Sequence, residues 1–242
     1  TGSSRGIGKA IAEAMADAGA KVTISSRKPG PCQEVADAIN EKHGDGTAIA
    51  VPANISSKED LQAMVDATNK AFGKIDICVC NAASNPYYGP MSGIEDDAFA
   101  KILQNNIISN NWLIQMCAPQ MRERKDGAVI IVSSIGGLRG STVIGAYNIS
   151  KAADFQLARN LAAEFGGDNV RVNCIAPGLI RTDFAKALWE NPDTLKRSLA
   201  GTPLKRIGEP EEIAGAAVYL ASKAGAYMTG QMLVLDGGAT ST

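Results

Sequence analysis

The chain has 242 residues, 45% hydrophobic and 20% charged, and its 24 Lys and Arg against 25 Asp and Glu leave a formal net charge of −1. That length suits one α/β domain with a sizeable core, and near-neutral charge without basic clusters argues against nucleic acid as a partner. No apolar run reaches the roughly eighteen residues of a membrane helix and no secretory signal is visible, so no membrane association is expected and the cytoplasm is the expected compartment.

The glycine run TGSSRGIG opens the chain. Residues 7–18 then read as a helix ended by Gly19, and KVTISS (21–26) as a buried strand. A second helix at 31–44, a strand at 47–53 and a helix at 57–73, with Ser57 and Asp60 near its start, follow. IDICVCN (75–81) is the next strand, and the periodic stretch 95–124 predicts one long helix with Pro119 in its last turns. AVIIVSS (128–134) reads as a strand, 146–165 as a tyrosine-bearing helix and VRVNCIA (170–176) as another strand. Residues 182–207 lack a core pattern and read as a lid over a substrate, and MTGQMLVLDGG (228–238) carries the closing strand. Such alternation predicts a single α/β domain over 1–242, a doubly wound parallel sheet with helices on both faces.

The five cysteines, Cys32, Cys78, Cys80, Cys117 and Cys174, are odd in number, and three fall in predicted strands, as suits reduced, buried thiols in a cytosolic protein. Cys78 and Cys80 face one side of their strand, and the single histidine, His43, is too little to complete a ligand set, so no metal is expected. His43 lies in EKHGDG, where it reads as a solvated helix C-cap.

Tyr147 and Lys151 stand four apart in YNISK, thirteen and seventeen residues after Ser134. On a helix that spacing sets phenol and ammonium side by side. A phenol ionises near pH ~10, so it moves protons at neutral pH only with a neighbouring cation to stabilise the phenolate. Ser134 can hydrogen-bond a carbonyl or alcohol oxygen held at the same point. Together the three make an acid/base site for interconverting a ketone or aldehyde with an alcohol. Gly2, Gly6 and Gly8 let the backbone turn tightly and approach a pyrophosphate at a helix N-terminus.

In combination these residues resemble the short-chain dehydrogenase/reductase family, from Thr1 to about Gly238. TGSSRGIG is similar to its Thr-Gly-x-x-x-Gly-x-Gly cofactor loop and IDICVCNAAS to its fourth strand and Asn-Asn-Ala-Gly turn. KILQNNI resembles its catalytic asparagine segment, VRVNCIAPGLIRTD its Pro-Gly loop and MTGQMLVLDGG its last strand. Cys80 and Ala83 depart from the turn pattern, and the family's apolar first strand is not seen before the glycine loop, so the chain is expected to be part of a longer protein.

The resemblance implies a Rossmann-like fold and a dinucleotide held by Gly2, Ser4, Arg5, Gly6, Ile7 and Gly8. No carboxylate follows the second strand. Ser26, Arg27 and Lys28, with Arg5, suit an extra phosphate instead, which favours NADP(H) with NAD(H) kept open. By the same resemblance Asn54 accepts from the adenine, Asn81 and Ala82 border the adenosine ribose, and Pro177, Gly178, Ile180 and Thr182 hold the nicotinamide carboxamide. Tyr147 transfers the proton, Lys151 lowers the phenol's proton affinity and touches the nicotinamide ribose, and Ser134 positions the substrate oxygen, with Ser133 as its rival. Asn106, with Asn105 and Asn110 as rivals, anchors a water next to Lys151. Tyr87, Tyr88, Leu138, Ile144 and Trp189 are expected to ring an apolar substrate pocket. The pattern looks most like NADP-dependent carbonyl and retinol reductases, with 3-oxoacyl-[acyl-carrier-protein] reductases as runner-up and a non-catalytic dinucleotide sensor as the alternative of another class. Outward apolar residues such as Trp112, Met116 and Phe155 predict a homotetramer.

Overall fold

The structure, a computed structural model, describes residues 1–241. Helix α1 (Gly6–Asp17) follows the glycine loop, then strand β1 (Val22–Ile24), α2 (Pro29–His43), β2 (Ala48–Ala50), α3 (Lys58–Phe72) and β3 (Ile77–Cys80). Next come α4 (Asp96–Leu103), a π-helical turn Gln104–Ile108, α5 (Ser109–Arg124), β4 (Gly127–Val132), α6 (Gly145–Phe165) and β5 (Val170–Pro177). Short helices α7 (Lys186–Trp189) and α8 (Pro192–Leu199), then α9 (Pro210–Ala221) and β6 (Met232–Leu235), complete the order.

Every strand pairing is parallel: β1 with β2, and β3-β4-β5-β6 in one ladder. Between β1 and β3 lie residues 1–3, with the Thr1 amino group donating to the Val79 carbonyl at 2.9 Å and the Ser3 N–H to the Ser25 carbonyl at 2.9 Å. The chain runs outward from β1 to β2 and then returns to β3, so the glycine loop sits where the strand order reverses. In open α/β sheets that is where ligands bind.

The central strands are buried on both faces and alternate between two cores. Val129 and Ile131 of β4 pack with Val172 and Cys174 of β5 against α3, α5 and α6. Ile130 and Val132 turn the other way, with Ile175, onto α1 and α9. A third cluster joins α1 and α2 to β1 and β2 through Ala16, Ile24, Val35 and Ile39. Among the described residues no helix is long and apolar enough to cross a membrane.

Several sequence expectations change here. The stretch 95–124 is two helices joined by a π turn, which displaces the register of everything after Leu103. Helix α9 has no counterpart among the predicted elements, because PEEIAGAAVYLA is alanine-rich and looks unpatterned; its Ile213, Ala214, Ala217 and Leu220 form the core contact with α1. Phe155 does not point outward: it is 6% exposed, and its ring lies 2.7 Å from where a side chain on Gly137 would begin. His43 is not simply solvated, since its Nε2 lies 2.7 Å from the Asp17 carboxylate and ties α2 to α1.

Candidate active site

Loops after β1, β3, β4 and β5 converge with the glycine loop at the C-terminal edge of the sheet. Gly2 and Gly6 have φ of +64° and +55°, a backbone region that favours glycine. The crowding there is severe. A side chain on Gly2 would begin 3.0 Å from Asn81 Nδ2, and one on Gly8 would begin 2.4 Å from the Gly2 carbonyl oxygen. Arg5 N-caps α1 without a side-chain cap, and the first turn holds no acidic residue, so the helix start keeps its positive field. This bare, tight turn fits the close backbone approach of a pyrophosphate.

Asn81 has a function the sequence reading did not assign it. Its Nδ2 donates to the carbonyls of Thr1 at 2.9 Å and Gly2 at 3.3 Å, while the Asn81 and Ala82 N–H groups both donate to Thr1 Oγ1. The end of β3 therefore holds the glycine loop in place. On the far side, Gly6 packs against the Thr182 methyl, and the exposed Arg5 guanidinium pairs with Asp183 at 3.1 Å. Ser26 Oγ lies 3.1 Å from Cys32 Sγ, and Arg27 and Lys28 stand exposed beside it. Asn54 is exposed too, its side-chain oxygen accepting from the Ser56 N–H in its own turn. The Gly178 N–H donates to the Leu235 carbonyl, whereas the Ile180 side chain is buried against α9.

Tyr147 stands in the first turn of α6, half-buried, with the Lys151 Nζ 5.7 Å from its ring centre. Strand β4 ends at Val132, so the two serines that follow point differently. Ser133 is buried and its hydroxyl donates to the Lys151 carbonyl at 2.8 Å. Ser134 caps the turn Ile135–Leu138, its Oγ accepting from the Gly136 N–H at 3.0 Å, and its hydroxyl is the serine group that acts on the Tyr147 phenol, favouring the phenolate. Of the rival pair, Ser134 is the one that meets Tyr147.

Asn106 lies in the π turn and is wholly buried. Its side chain grips the loop after β3, accepting from the Ser84 N–H at 2.8 Å and donating to the Ser84 carbonyl at 3.0 Å, and also donates to Ser150 Oγ on α6. Its own carbonyl accepts from Asn110 Nδ2 at 2.6 Å. Asn105 instead bonds Ser56 and Ser84 hydroxyls. Asn106, the asparagine expected to anchor a water, joins the loop after β3 to α5 and α6.

Lys151 is 1% exposed, donating to the Val132 carbonyl at 3.0 Å and to Asp154 Oδ2 at 3.1 Å. Asp154 was missed by the sequence reading, although a carboxylate three residues after Lys151 on the same helix is a readable signal. The consequence is electrostatic. Burial raises the phenol of Tyr147 above its ordinary value; Lys151 and Ser134 pull it down, Asp154 pushes it up, and the net direction is upward. Burial alone would lower the Lys151 ammonium, but Asp154 and Tyr147 outweigh it and hold the group charged.

Around this point Tyr87 donates its hydroxyl to the Pro90 carbonyl, and Tyr88 and Leu138 are 63% and 42% exposed. Trp189 donates Nε1 to the Thr182 carbonyl and stacks against Arg181. Phe184, absent from the sequence reading, faces the phenol, with ring centres 5.9 Å apart and planes tilted by 42°. Residues 182–207, read as a lid, form α7 and α8, anchored at Thr182 and again where the Leu204 N–H donates to the Gly237 carbonyl.

A parallel sheet with a glycine loop at its switch point and a Ser, Tyr, Lys cluster beside it defines a dinucleotide-dependent oxidoreductase fold. A family model described as enoyl-(acyl carrier protein) reductase matches residues 2–240. The chain is 39% identical over 242 residues to dehydrogenase/reductase SDR family member 4 of Bos taurus, covering 100% of this chain and 86% of that protein. The human member 4 is 38% identical over 245 residues, with the same coverage of 100% and 86%. Among solved structures, a 7α-hydroxysteroid dehydrogenase complexed with NADH and 7-oxo glycochenodeoxycholic acid matches with TM-score 0.93 and 35% identity, covering 98% of this chain and 91% of that one. A gluconate 5-dehydrogenase from Burkholderia cenocepacia in complex with NADP and tartrate matches with TM-score 0.94 and 28% identity, covering 100% and 94%. The chain belongs to the short-chain dehydrogenase/reductase family and is an oxidoreductase of that family, which uses nicotinamide dinucleotides.

Proposed function

We propose that the protein interconverts a ketone or aldehyde with an alcohol, using NADP(H) in preference to NAD(H). The observation that carries this reading is the meeting of Ser134, Tyr147 and Lys151 next to a glycine turn too tight for side chains. The bound dinucleotide supplies or accepts the hydride. Tyr147 gives its proton to the carbonyl oxygen in reduction and takes the alcohol's proton in oxidation. Ser134 holds that oxygen, and Lys151, charged throughout, offsets the phenolate formed. Asn106 keeps the loop after β3, α5 and α6 in register behind them.

Arg27 and Lys28, exposed after β1 with no carboxylate beside them, support NADP(H), since two cations suit a phosphate that an acidic residue would repel. Solved relatives hold either cofactor, one with NADH and one with NADP, so preference rests on this chain's own residues. Tyr88, Leu138, Trp189 and the newly found Phe184 give the substrate side an apolar, partly aromatic character. We read the active form as a homotetramer in the cytoplasm. A panel of ketones, aldehydes and a 3-oxoacyl thioester, run with NADPH and NADH, tests the reading. Turnover of carbonyls that Tyr147→Phe reduces by about a hundredfold or more, with NADPH binding intact, is expected. Undiminished turnover in Tyr147→Phe removes the tyrosine from the mechanism, and failure of the whole panel leaves the sensor alternative standing.

A further inference from the structure

Among the described residues Lys151 and Asp154 are the charged side chains that are fully buried, and they face each other. Two of the three Lys151 ammonium protons are committed, one to the Val132 carbonyl and one to Asp154 Oδ2, which leaves the third for Tyr147 and the space beside it. The Asp154 carboxylate is itself held by Lys151 on α6 at 3.1 Å and by the Asn110 amide on α5 at 3.3 Å from Oδ1, with Ser133 after β4 favouring its charged form. Asn110 also grips the Asn106 carbonyl, so the carboxylate is wired into the same clamp that sets the loop after β3.

We propose that Asp154 is a positioning residue for Lys151: it anchors the ammonium against β4, neutralises part of its charge, and so sets how readily Tyr147 gives up its proton. A buried ion pair of this kind is poor value as a stability device, because desolvation of the two charges opposes their attraction. Its effect on a neighbouring phenol is direct. The ammonium stabilises the phenolate and the carboxylate opposes it with a smaller effect, so Asp154 trims the pull of Lys151 on the phenol without cancelling it. The other titratable group packed here is Cys174 of β5, whose thiol is pushed up by burial and lies 3.4 Å from the Asp154 carbonyl; Arg159, further along α6, acts on that thiol. From α5 and the end of β4 only the uncharged Asn110 and Ser133 face the carboxylate.

The inference rests on reading Tyr147 as the proton donor, and its test separates the two. Asp154→Asn keeps the shape and removes the charge. The Tyr147 and Lys151 pair should then lose its first proton at a pH lower by about one unit, about tenfold in dissociation constant. Tyrosinate ultraviolet absorbance of the full chain reads this directly, with Tyr147→Phe as the blank for the other tyrosines. The acid limb of kcat for alcohol oxidation should move the same way, and Asp154→Glu should return it toward wild type. A titration unchanged in folded Asp154→Asn overturns the proposal. Should that variant not fold, Asp154→Ser takes its place in the same absorbance titration, and a folded Asp154→Ser that titrates as the wild type does sinks the idea. Retained turnover in Tyr147→Phe strikes the proton-donor reading instead, and leaves the absorbance result to judge Asp154 alone.

Discussion

Adding one methyl group at Gly8 should abolish tight cofactor binding while leaving a folded protein. Its Cβ would begin 2.4 Å from the Gly2 carbonyl oxygen and 2.5 Å from Asn81 Nδ2, against the 3.0 Å that real Cβ atoms keep, so loop and helix must part by about 0.6 Å or more. Overpacking on this scale costs about 1–3 kcal/mol of fold stability. The loop amides suffer more. Hydrogen bonds to phosphate oxygens operate within about 2.7–3.2 Å, and a 0.6 Å displacement takes them out of range. Losing two such bonds to a charged group, at about 1.5 kcal/mol each, weakens NADPH by about 3 kcal/mol or about a hundredfold. NADPH fluorescence titration measures the affinity and thermal melting the stability. Gly19→Ala is the control: its φ is +88° but nothing lies within 4 Å of an added Cβ, so it should lose stability and keep affinity. Gly8→Ala binding NADPH within about threefold of wild type would refute the account of the loop.

Arg27→Asp should turn preference toward NADH, because a carboxylate repels the extra phosphate and accepts from ribose hydroxyls; a wild type that already favours NADH in kcat/KM shows the assignment wrong. Glu212, bonded by both Arg206 amino groups and by the Glu209 N–H at the start of α9, has its carboxyl pulled down to about 2 from 4.5, first by Arg206. A depressed folded-state value means the contribution is complete above pH 4.5 and lost as pH falls toward about 2. Melting temperatures of wild type and Glu212→Gln should therefore differ above that window and converge below it; a constant offset across it would contradict the ion pair. Light scattering at micromolar concentration should give a tetramer, with exposed Ile149 and Tyr227 among the covered surfaces, and a monomer would overturn that expectation.

The doubly wound sheet was legible because its evidence is local: apolar runs of strand length alternate with stretches of helical period, and backbone pairing leaves such a chain few other folds. Gly2, Gly6, Gly8, Tyr147 and Lys151 were legible for the same reason, as their spacing already implies a turn or a shared helix face. The missed helix α9 carries mostly alanine on its buried face, which packs closely against α1 without leaving a strong pattern.

What the sequence alone determined, then, is the order of elements and the residue types that meet at one edge of the sheet. Which serine reaches the phenol was decided where β4 stops, since one further residue reverses the direction of a side chain. The buried position of Asp154 was decided by α5, α6 and β4 closing together, and the burial of the phenol itself, with Asp154 adding to it, turns the expected downward shift of Tyr147 into an upward one. Phe184 was decided likewise, by the segment after Thr182 meeting the first turn of α6 from a distant part of the chain. Burial and charge balance are sums over neighbours far apart in sequence. No local spacing encodes them, and only the closed tertiary structure sets their sign.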